Sequence, residues 1–374
     1  MSVPAVRVLH VIEAMDRGGA ESLVVEHVRH AGAGVEAMVC ALNRGGPSLE
    51  AARAAGARTF LLAGLGRLAR LGRLARLIRE LEVTVVNGHN PTGGLAAALA
   101  ARRAGRAVVV RTEHSLHYAG RHSALWPVLE RLATALSPRV VCVCETVRES
   151  HVRRFPRAAS RFVTVLNGIS AAPAPPSRAA SRAALGIGPE ERIALSVGSL
   201  TPQKAQHVLL QAFARATASG REGRLLIAGE GPLRAPLEAQ RAALGLGERV
   251  RFLGVRADVE GLLAAADLFV LSSRREGLPV TLLEAMRAGR AVAVTRAGGC
   301  AEAVTDGETG RLVPVDDPAA LGEALAALLA DPERCARMGE AARARWEREF
   351  TAERMVRETE RIYASLLAEG GGGR

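Results

Sequence analysis

Two carboxylates, Glu276 and Glu284, stand eight residues apart in the stretch SRREGLPVTLLEAMRAGRAVAV. A Gly-Leu-Pro turn and the first turns of a helix separate them. Just upstream, DLFVLSS (267 to 273) reads as a buried strand, a short apolar run bounded by turn signals. Pro279 fits a first helical position, where its fixed φ suits the helix and its missing N–H costs nothing. The helix then opens just after Glu276 and leaves unpaired backbone N–H groups at its positive end, which favours anions and phosphate above all. One carboxylate lies in the entering loop and the other about two turns into the helix. N–H donors suit phosphate and carboxylate acceptors suit hydroxyls, so the pattern fits a ligand carrying both, as a nucleotide sugar does.

Other residues with chemistry to offer lie at similar places. In VGSLTPQKAQHVLLQAF, Lys204 falls in a loop between strand and helix, where an ammonium can neutralise a departing diphosphate. GEGPLR supplies a glycine-rich turn, with Gly229 and Gly231, at the next strand end. Near the N-terminus, EAMDRGGAESLVVEHV places Gly18 and Gly19 just before a helix, where paired glycines allow positive φ and close approach of backbone to a ligand. His114 lies just past the strand VVVRTE, and His89 follows the preceding strand in the same way. A histidine there can bond a sugar or phosphate and titrate near neutrality; for His89 a purely structural role is equally open.

Two segments imitate a dinucleotide fingerprint. GLGRLA (64 to 69) matches G-x-G-x-x-A, with Glu80 or Glu82 near the spacing for a ribose contact, but it follows the third strand, whereas the fingerprint belongs to the first βα turn. GEGPLR carries proline and arginine where helix-compatible small residues are required. Neither supports NAD, and neither a GxxxxGK[ST] phosphate loop nor a GxSxG elbow occurs. The stretch 64 to 82 interleaves leucines with Arg67, Arg70, Arg73, Arg76 and Arg79 at period three, which spirals around a helix. Such a helix can cover a sheet with its arginines in solvent, rest on anionic lipid, or do both.

Strand-like runs alternate with helical stretches throughout, which predicts parallel α/β layers. Seven strands are expected in the first half, at 6–12, 35–42, 58–63, 83–88, 107–112, 139–144 and 162–166; six follow, at 192–198, 224–229, 250–254, 267–273, 291–295 and 310–314. With 374 residues the chain exceeds what one core usually serves. The expected organisation is a Rossmann-like domain over 1–168, an Ala/Pro/Ser-rich linker over 169–191, a second such domain over 192–345, a terminal helix over 346–369 with Phe350, Met355, Tyr363 and Leu366 as packing residues, and a disordered tail at 370–374. A ligand site between the halves is expected from the carboxyl ends of their strands. Aromatic residues make up only 3%, and no zinc-finger or RNP signature occurs, which argues against nucleic acid despite a net charge of +12. Five scattered cysteines, no leader-like N-terminus and no membrane-length apolar run suit a cytoplasmic protein without structural zinc.

Taken together, RGGAE (17 to 21), EHS (113 to 115), NGI (167 to 169), VGSLTPQK, GEGPLR, FLGVRADV (252 to 259), EGLPVTLLEAMRAG (276 to 289), GG-C-AE (298 to 302) and DGETGRLVP (306 to 314) resemble the retaining GT-B glycosyltransferases of family 4. The resemblance covers nearly the whole chain. It implies two doubly wound Rossmann-like domains facing across a cleft, the first binding a saccharide or lipid-linked acceptor and the second a nucleotide-sugar donor, with the terminal helix crossing back to the first. By position, Glu276 meets donor-sugar hydroxyls, Glu284 the ribose and Lys204 the diphosphate; Gly277, Leu278, Val280 and Thr281 lie along the donor. Gly18 and Gly19 approach the phosphates, His114 sits near the reacting sugar, and Val255 and Arg256 border the base. His114, Lys204 and Glu276 are the catalytic candidates. Ser199 stands where relatives place a phosphate-binding arginine, Ala205 replaces a common glycine, and Thr84 and Asn87 replace a frequent Asp and His. The resemblance implies a UDP- or GDP-linked substrate, no cofactor, and, with no DxD triplet present, no metal held by such a motif. It implies retention by front-face attack or by covalent double displacement, in exopolysaccharide, lipopolysaccharide or glycolipid assembly, on or near the inner face of the plasma membrane. A catalytically inactive sugar-nucleotide-binding or scaffold protein is the alternative.

Overall fold

The computed structural model describes residues 6–116, 126–172, 176–218 and 222–371. The chain divides into two compact units, Met1–Ser170 with Thr351–Arg374, and Ala171–Phe350. All thirteen expected strands are present.

The first unit holds β1 (Val6–Ala14), β2 (Val35–Arg44), β3 (Arg58–Leu61), β4 (Val85–His89), β5 (Val108–Glu113), β6 (Arg139–Cys142) and β7 (Phe162–Thr164) in one parallel sheet, ordered β3-β2-β1-β4-β5-β6-β7. Its helices are α1 (Gly19–Arg29), α2 (Pro47–Ala54), α3 (Arg67–Glu80), α4 (Asn90–Ala104), α5 (Trp126–Leu136) and α6 (Glu145–Arg154). The central strands are buried without alternation because helices cover both sheet faces; Val8, Leu9 and Val11 are fully buried, and so are the polar Asn87, His89 and Arg111. Strand order reverses between β1 and β4, the switch point at whose carboxyl ends such sheets receive ligands. On α3, Leu74, Leu77 and Ile78 enter the core, while Leu68 is 86% exposed. The leucine spiral thus buries only its second half.

In the second unit, α7 (Arg178–Ala184) precedes β8 (Ile193–Val197), α8 (Gln206–Thr217), β9 (Arg224–Ala228), α9 (Arg234–Ala243), β10 (Val250–Gly254), α10 (Val259–Ala265), β11 (Leu268–Leu271), α11 (Val280–Arg287), β12 (Ala291–Thr295), α12 (Cys300–Ala303), β13 (Gly310–Val313), α13 (Pro318–Ala330) and α14 (Pro332–Glu349). The sheet order β10-β9-β8-β11-β12-β13 is again parallel, with its reversal between β8 and β11. Phe213, Phe269, Leu325 and Met338 are among the side chains that fill this unit's interior.

Three expected boundaries are corrected. Residues 176–191 are not a linker but part of the second unit: the alanines favour a helix, Ser177 caps it, and Arg182 is buried, donating to the carbonyls of Gly188 (2.7 Å) and Ala265 (2.9 Å). The expected helix over 346–369 is two helices, because α14 ends at Glu349 and α15 (Ala352–Gly371) starts afresh after Phe350. The tail expected at 370–374 is helical through Gly371, since a glycine costs a helix only about 1 kcal/mol relative to alanine; residues 372–374 lie outside the described residues. No described helix is long and apolar enough to cross a membrane, and all five cysteines are buried and outside any disulfide.

The helix α15 is fastened to the first unit by polar contacts as well as apolar ones. Met355, Tyr363 and Leu366 are buried, and Phe350, just ahead of the helix, is buried too. The amide of Asn87 donates to the Tyr363 hydroxyl at 2.8 Å and accepts from Thr112 at 3.0 Å. At the helix start, Ala352 N donates to Ile169 O at 3.1 Å. A Cβ on Gly168 would meet Thr351 O at 2.0 Å, so only glycine permits this approach.

Candidate functional site

At the switch point of the second unit, the loops after β8 and β11 are laced together. Arg274 N donates to Gln203 O at 2.8 Å, and the Gln203 side chain returns the bond to Arg275 O at 2.8 Å. The hydroxyl of Ser272 donates to Lys204 O at 2.9 Å and to Ala205 O at 3.1 Å. These bonds fix the backbone beneath Lys204, whose ammonium Nζ lies 2.6 Å from Glu276 Oε1. The carboxylate is 7% exposed and the lysine 19%, so the pair is largely withdrawn from water. The arrangement presents a cation, a carboxylate and the start of α11 at two neighbouring strand ends.

The helix start differs by one residue from the sequence expectation. Pro279 is the cap, at φ −67° and ψ 126°, and α11 begins at Val280. An N-cap residue takes β-region ψ while its carbonyl already accepts the first helical bond, here from Leu283 N at 3.3 Å. Val280 and Thr281 bring early helical N–H groups to this end, where they lack intrahelical acceptors. Glu284 lies in the helix, half-buried. Gly277 and Leu278 are buried in the entering loop.

Glycines elsewhere hold this loop. Gly298 has φ +54°, and a Cβ there would sit 2.0 Å from Glu276 O. Gly299 N donates to Gly277 O at 2.7 Å. The pair was legible only as a motif fragment, not as the support of Glu276. Gly229 plays a similar part between loops: at φ +140°, a Cβ would lie 2.0 Å from Gly198 O. Gly231 likewise packs against Leu200 O, at 2.5 Å from such a Cβ. Both glycines therefore position the β8 and β9 loops. Ala205 occupies the left-handed region at φ 48° and ψ 40°, which gives the physical reason a glycine is common there.

Ser199 is exposed, and its carbonyl accepts from Gln206 Nε2 at 2.9 Å. Val255 is 57% exposed beyond β10. The Arg256 guanidinium is held by Asp258, through Nε at 2.7 Å and Nη2 at 2.5 Å, so its charge is already paired.

In the first unit, Gly18 caps α1 and Gly19 is its first residue, both exposed past the end of β1. Neither uses positive φ, contrary to expectation; Gly18 is extended at φ 177°. Its lack of a side chain instead leaves room for the Glu21 carboxylate, 2.2 Å from where a Cβ would stand.

His114 and His89 form part of a longer chain. His10 Nδ1 is 2.9 Å from His89 Nε2, and His89 Nδ1 is 2.9 Å from His114 Nε2. His27 stacks on His10 with ring centroids 5.2 Å apart. Each hydrogen bond in the chain needs one protonated and one bare nitrogen, so neutral imidazoles can satisfy it only in a concerted tautomer set. Burial lowers all four pKa values, with neighbouring imidazoles adding for His10, His89 and His114: His27 to about 4, His114 to about 3, His10 and His89 well below the usual range. The chain ends at His114 Nδ1, a buried atom with no partner among the described residues. Glycines again allow the placement. A Cβ on Gly93 would meet Val11 O at 2.5 Å and one on Gly88 the Cα of Gly94 at 2.5 Å, so α4 seats closely behind His89. His10 and His27 were not singled out in sequence, because residues on β1 and α1 share no periodicity with His89 or His114.

Comparison with known proteins identifies the family and the fold. The family described as "Glycosyltransferase Family 4" matches residues 17–172, and "Glycosyl transferases group 1" matches residues 177–345. EpsD of Bacillus subtilis is 30% identical over 300 residues, covering 78% of each chain. A GDP-mannose-dependent alpha-(1-6)-phosphatidylinositol monomannoside mannosyltransferase of Mycolicibacterium smegmatis is 33% identical over 277 residues, covering 67% of this chain and 69% of that one. Among solved structures, Anabaena HepE in complex with UDP superposes with a TM-score of 0.85 over 96% of this chain and 100% of that chain, at 21% identity, a likeness of fold.

Proposed function

Because the chain belongs to glycosyltransferase family 4, we propose that it moves a sugar from a UDP- or GDP-linked donor to a saccharide or lipid-linked acceptor with retention of anomeric configuration. The observation that carries this reading is the Lys204–Glu276 pair, 2.6 Å apart at the switch point of the second unit. The β8–β11 reversal is where a doubly wound sheet takes its ligand, and the pair supplies the two complementary groups a sugar diphosphate needs. The names of the two relatives with identified ligands, one GDP-mannose-dependent and one bound to UDP, are consistent with either base.

In this mechanism Lys204 turns from Glu276 to the donor's diphosphate and, with the N–H groups opening α11, stabilises the charge that develops on the leaving oxygen. Glu276 is released to accept from sugar hydroxyls, and Glu284 from the ribose. Val255 and the backbone at Arg256 border the base, Gly277, Leu278, Val280 and Thr281 line the donor, and Gly229, Gly231 and Ser199 belong to the loops that hold it. His114 bonds the reacting sugar and Gly18 and Gly19 approach the phosphates. The acceptor oxygen bonds to the anomeric carbon on the face from which the diphosphate oxygen departs, and the acceptor's proton passes to that oxygen. Both glutamates are occupied with hydroxyls, which favours front-face attack over a covalent intermediate. Charge stabilisation comes from Lys204 and α11 without a metal.

The test is incubation with candidate nucleotide sugars and lipid or oligosaccharide acceptors, measuring nucleoside diphosphate release and, by NMR, the anomeric configuration of the product. Loss of release in Glu276→Gln and Lys204→Ala supports the site; near-normal turnover in both would sink it. Donor binding without transfer to any acceptor would favour a binding protein instead.

Peripheral attachment to a cytoplasmic membrane face is part of the same reading. It is supported by Leu65 (38% exposed) and Leu68 (86% exposed) at the start of α3, beside Arg67, Arg70, Arg73, Arg76 and Arg79. Vesicle flotation with anionic lipid should show binding that weakens with salt; no flotation at any salt removes the proposal.

A further inference from the structure

The opposite edge of the second sheet carries a charge imbalance that the transfer reaction does not use. Three neighbouring strands, β8, β11 and β12, are each preceded by an ionic residue: Arg192, Asp267 and Arg290. Their pairing in register, Leu268 with Ala194 and with Ala291, lines these residues up along the amino-terminal edge. Asp267 is 7% exposed and accepts from Arg178 Nη2 at 2.7 Å and Arg192 Nη1 at 3.0 Å, with Arg182 Nη1 at 3.7 Å behind it. One carboxylate thus faces three guanidinium groups.

Arg290 adds a fourth, and among the described residues it is bonded to carbonyls, those of Ala288 (2.9 Å) and Ala266 (3.0 Å). Burial first, then the charge of Arg178, lowers its pKa, the signature of a crowded cation. Arg192 Nε is also buried, with no partner among the described residues. Over this edge lies a cavity of about 430 Å³, walled on its other side by α14 through Glu340 and Arg343. Its volume falls in the range of small-molecule sites, about 300–1,000 Å³. The tie of α7 to the sheet needs the carbonyl bonds of Arg178 and Arg182, but it does not need the excess positive charge. Arg182 is buried and Arg192 and Arg290 are partly so; crowding like charge there is costly, and an anion offsets it.

We propose that this arginine-lined cavity binds a small phosphorylated molecule, separate from the donor site at the carboxyl edge of the same sheet. Guanidinium forks match phosphate oxygens two at a time, and Arg192 and Arg290 converge from adjacent strands. Asp267 holds the Arg192 fork, the carbonyls of Ala288 and Ala266 hold Arg290, and Arg343, exposed and bonded to Glu347 at 3.1 Å, stands at the outer side.

Calorimetric titration of the full chain with pyrophosphate tests the assignment. The variants are Arg343→Glu and Arg290→Gln at the cavity, Lys204→Ala at the donor site, and Arg67→Glu on α3 as a control with the same change of net charge as Arg343→Glu. Binding should persist in Lys204→Ala and Arg67→Glu, and should weaken by about tenfold or more in each cavity variant, the scale of one lost charge-assisted fork. Should Arg290→Gln fail to fold, Arg343→Glu decides alone, since its side chain is exposed on α14. Binding that disappears in Lys204→Ala, that falls equally in Arg67→Glu, or that is untouched by Arg343→Glu overturns the proposal, as does the lack of any binding to the parent chain.

Discussion

Lys204 and Glu276, which lie 72 residues apart in sequence, meet at 2.6 Å because β8 and β11 are neighbours across the strand reversal of the second sheet. The contact satisfies both charges, and the proposed transfer frees each of them for the donor. Removing the lysine alone leaves a carboxylate that is 7% exposed without its cation. Lys204→Ala is therefore expected to destabilise the chain by about 1–3 kcal/mol, the cost of a buried polar group losing its partner. Adding Glu276→Gln should restore part of that loss, because the unpaired charge is gone. Nucleoside diphosphate release should be lost in both single variants and in the double one. Urea unfolding of the four proteins, set as a double-mutant cycle, measures the coupling; additive stabilities would show that the pair is not a unit.

The buried histidine chain predicts a particular acid sensitivity. His10, His27, His89 and His114 all have folded-state pKa values below the ordinary value of about 6.5. Between the two values the unfolded chain binds more protons than the folded one, so stability is complete above pH 6.5 and falls as the pH drops through the window toward 4. Each fully buried histidine contributes at most about 1.4 kcal/mol per pH unit in that window. Thermal unfolding from pH 8 to pH 4.5 should show a steep fall below 6.5. Replacing His27, which stacks on His10 without a hydrogen bond in the chain, by Phe should make the fall shallower by about one proton. An unchanged slope in His27→Phe would contradict the assignment.

Much of this molecule is legible in the sequence for a simple reason: parallel strands buried on both faces are short apolar runs, and all thirteen stand out. Lys204, Glu276 and His114 stand out as candidates because they follow such runs. What could not be read is how separate loops meet. Nothing in the spacing of Lys204 and Glu276 reveals a salt bridge, and nothing links Gly298 to the Glu276 carbonyl. The segment around Arg182 was misread because composition alone cannot distinguish an Ala-rich helix docked by one buried arginine from a flexible linker. Asn87 looked like a lost histidine, whereas its amide pins Tyr363 on a helix 276 residues further on. Local pattern reports burial and periodicity; long-range partners follow from topology.

Gly298 offers a test of the site that touches no candidate side chain. Its φ of +54° disfavours any other residue by about 1–2 kcal/mol. A Cβ would also lie 2.0 Å from Glu276 O, a backbone atom that cannot swing away. Gly298→Ala is thus expected to push the Glu276–Gly277 loop off its position, lowering the melting temperature and weakening donor binding. Steady-state kinetics and a thermal melt measure the two effects. A variant with parental KM for the donor would show that this loop position does not matter to the site.

The docking of α15 should depend on one phenol. Tyr363 is 2% exposed and accepts from Asn87 Nδ2 at 2.8 Å, while Asn87 itself is fully buried. Tyr363→Phe keeps the ring and its packing but leaves that amide proton without its acceptor. The expected cost is about 1–3 kcal/mol, the penalty for a buried donor left unsatisfied. Because the hydrophobic contacts of Met355 and Leu366 persist, the helix should stay docked and the denaturant slope m should stay unchanged while the midpoint falls. Burial also raises the Tyr363 pKa, so its phenol should ionise in alkaline solution only as the chain unfolds. A midpoint equal to that of the parent, or phenol ionisation in the folded protein, would show that the Asn87–Tyr363 bond does not anchor the helix.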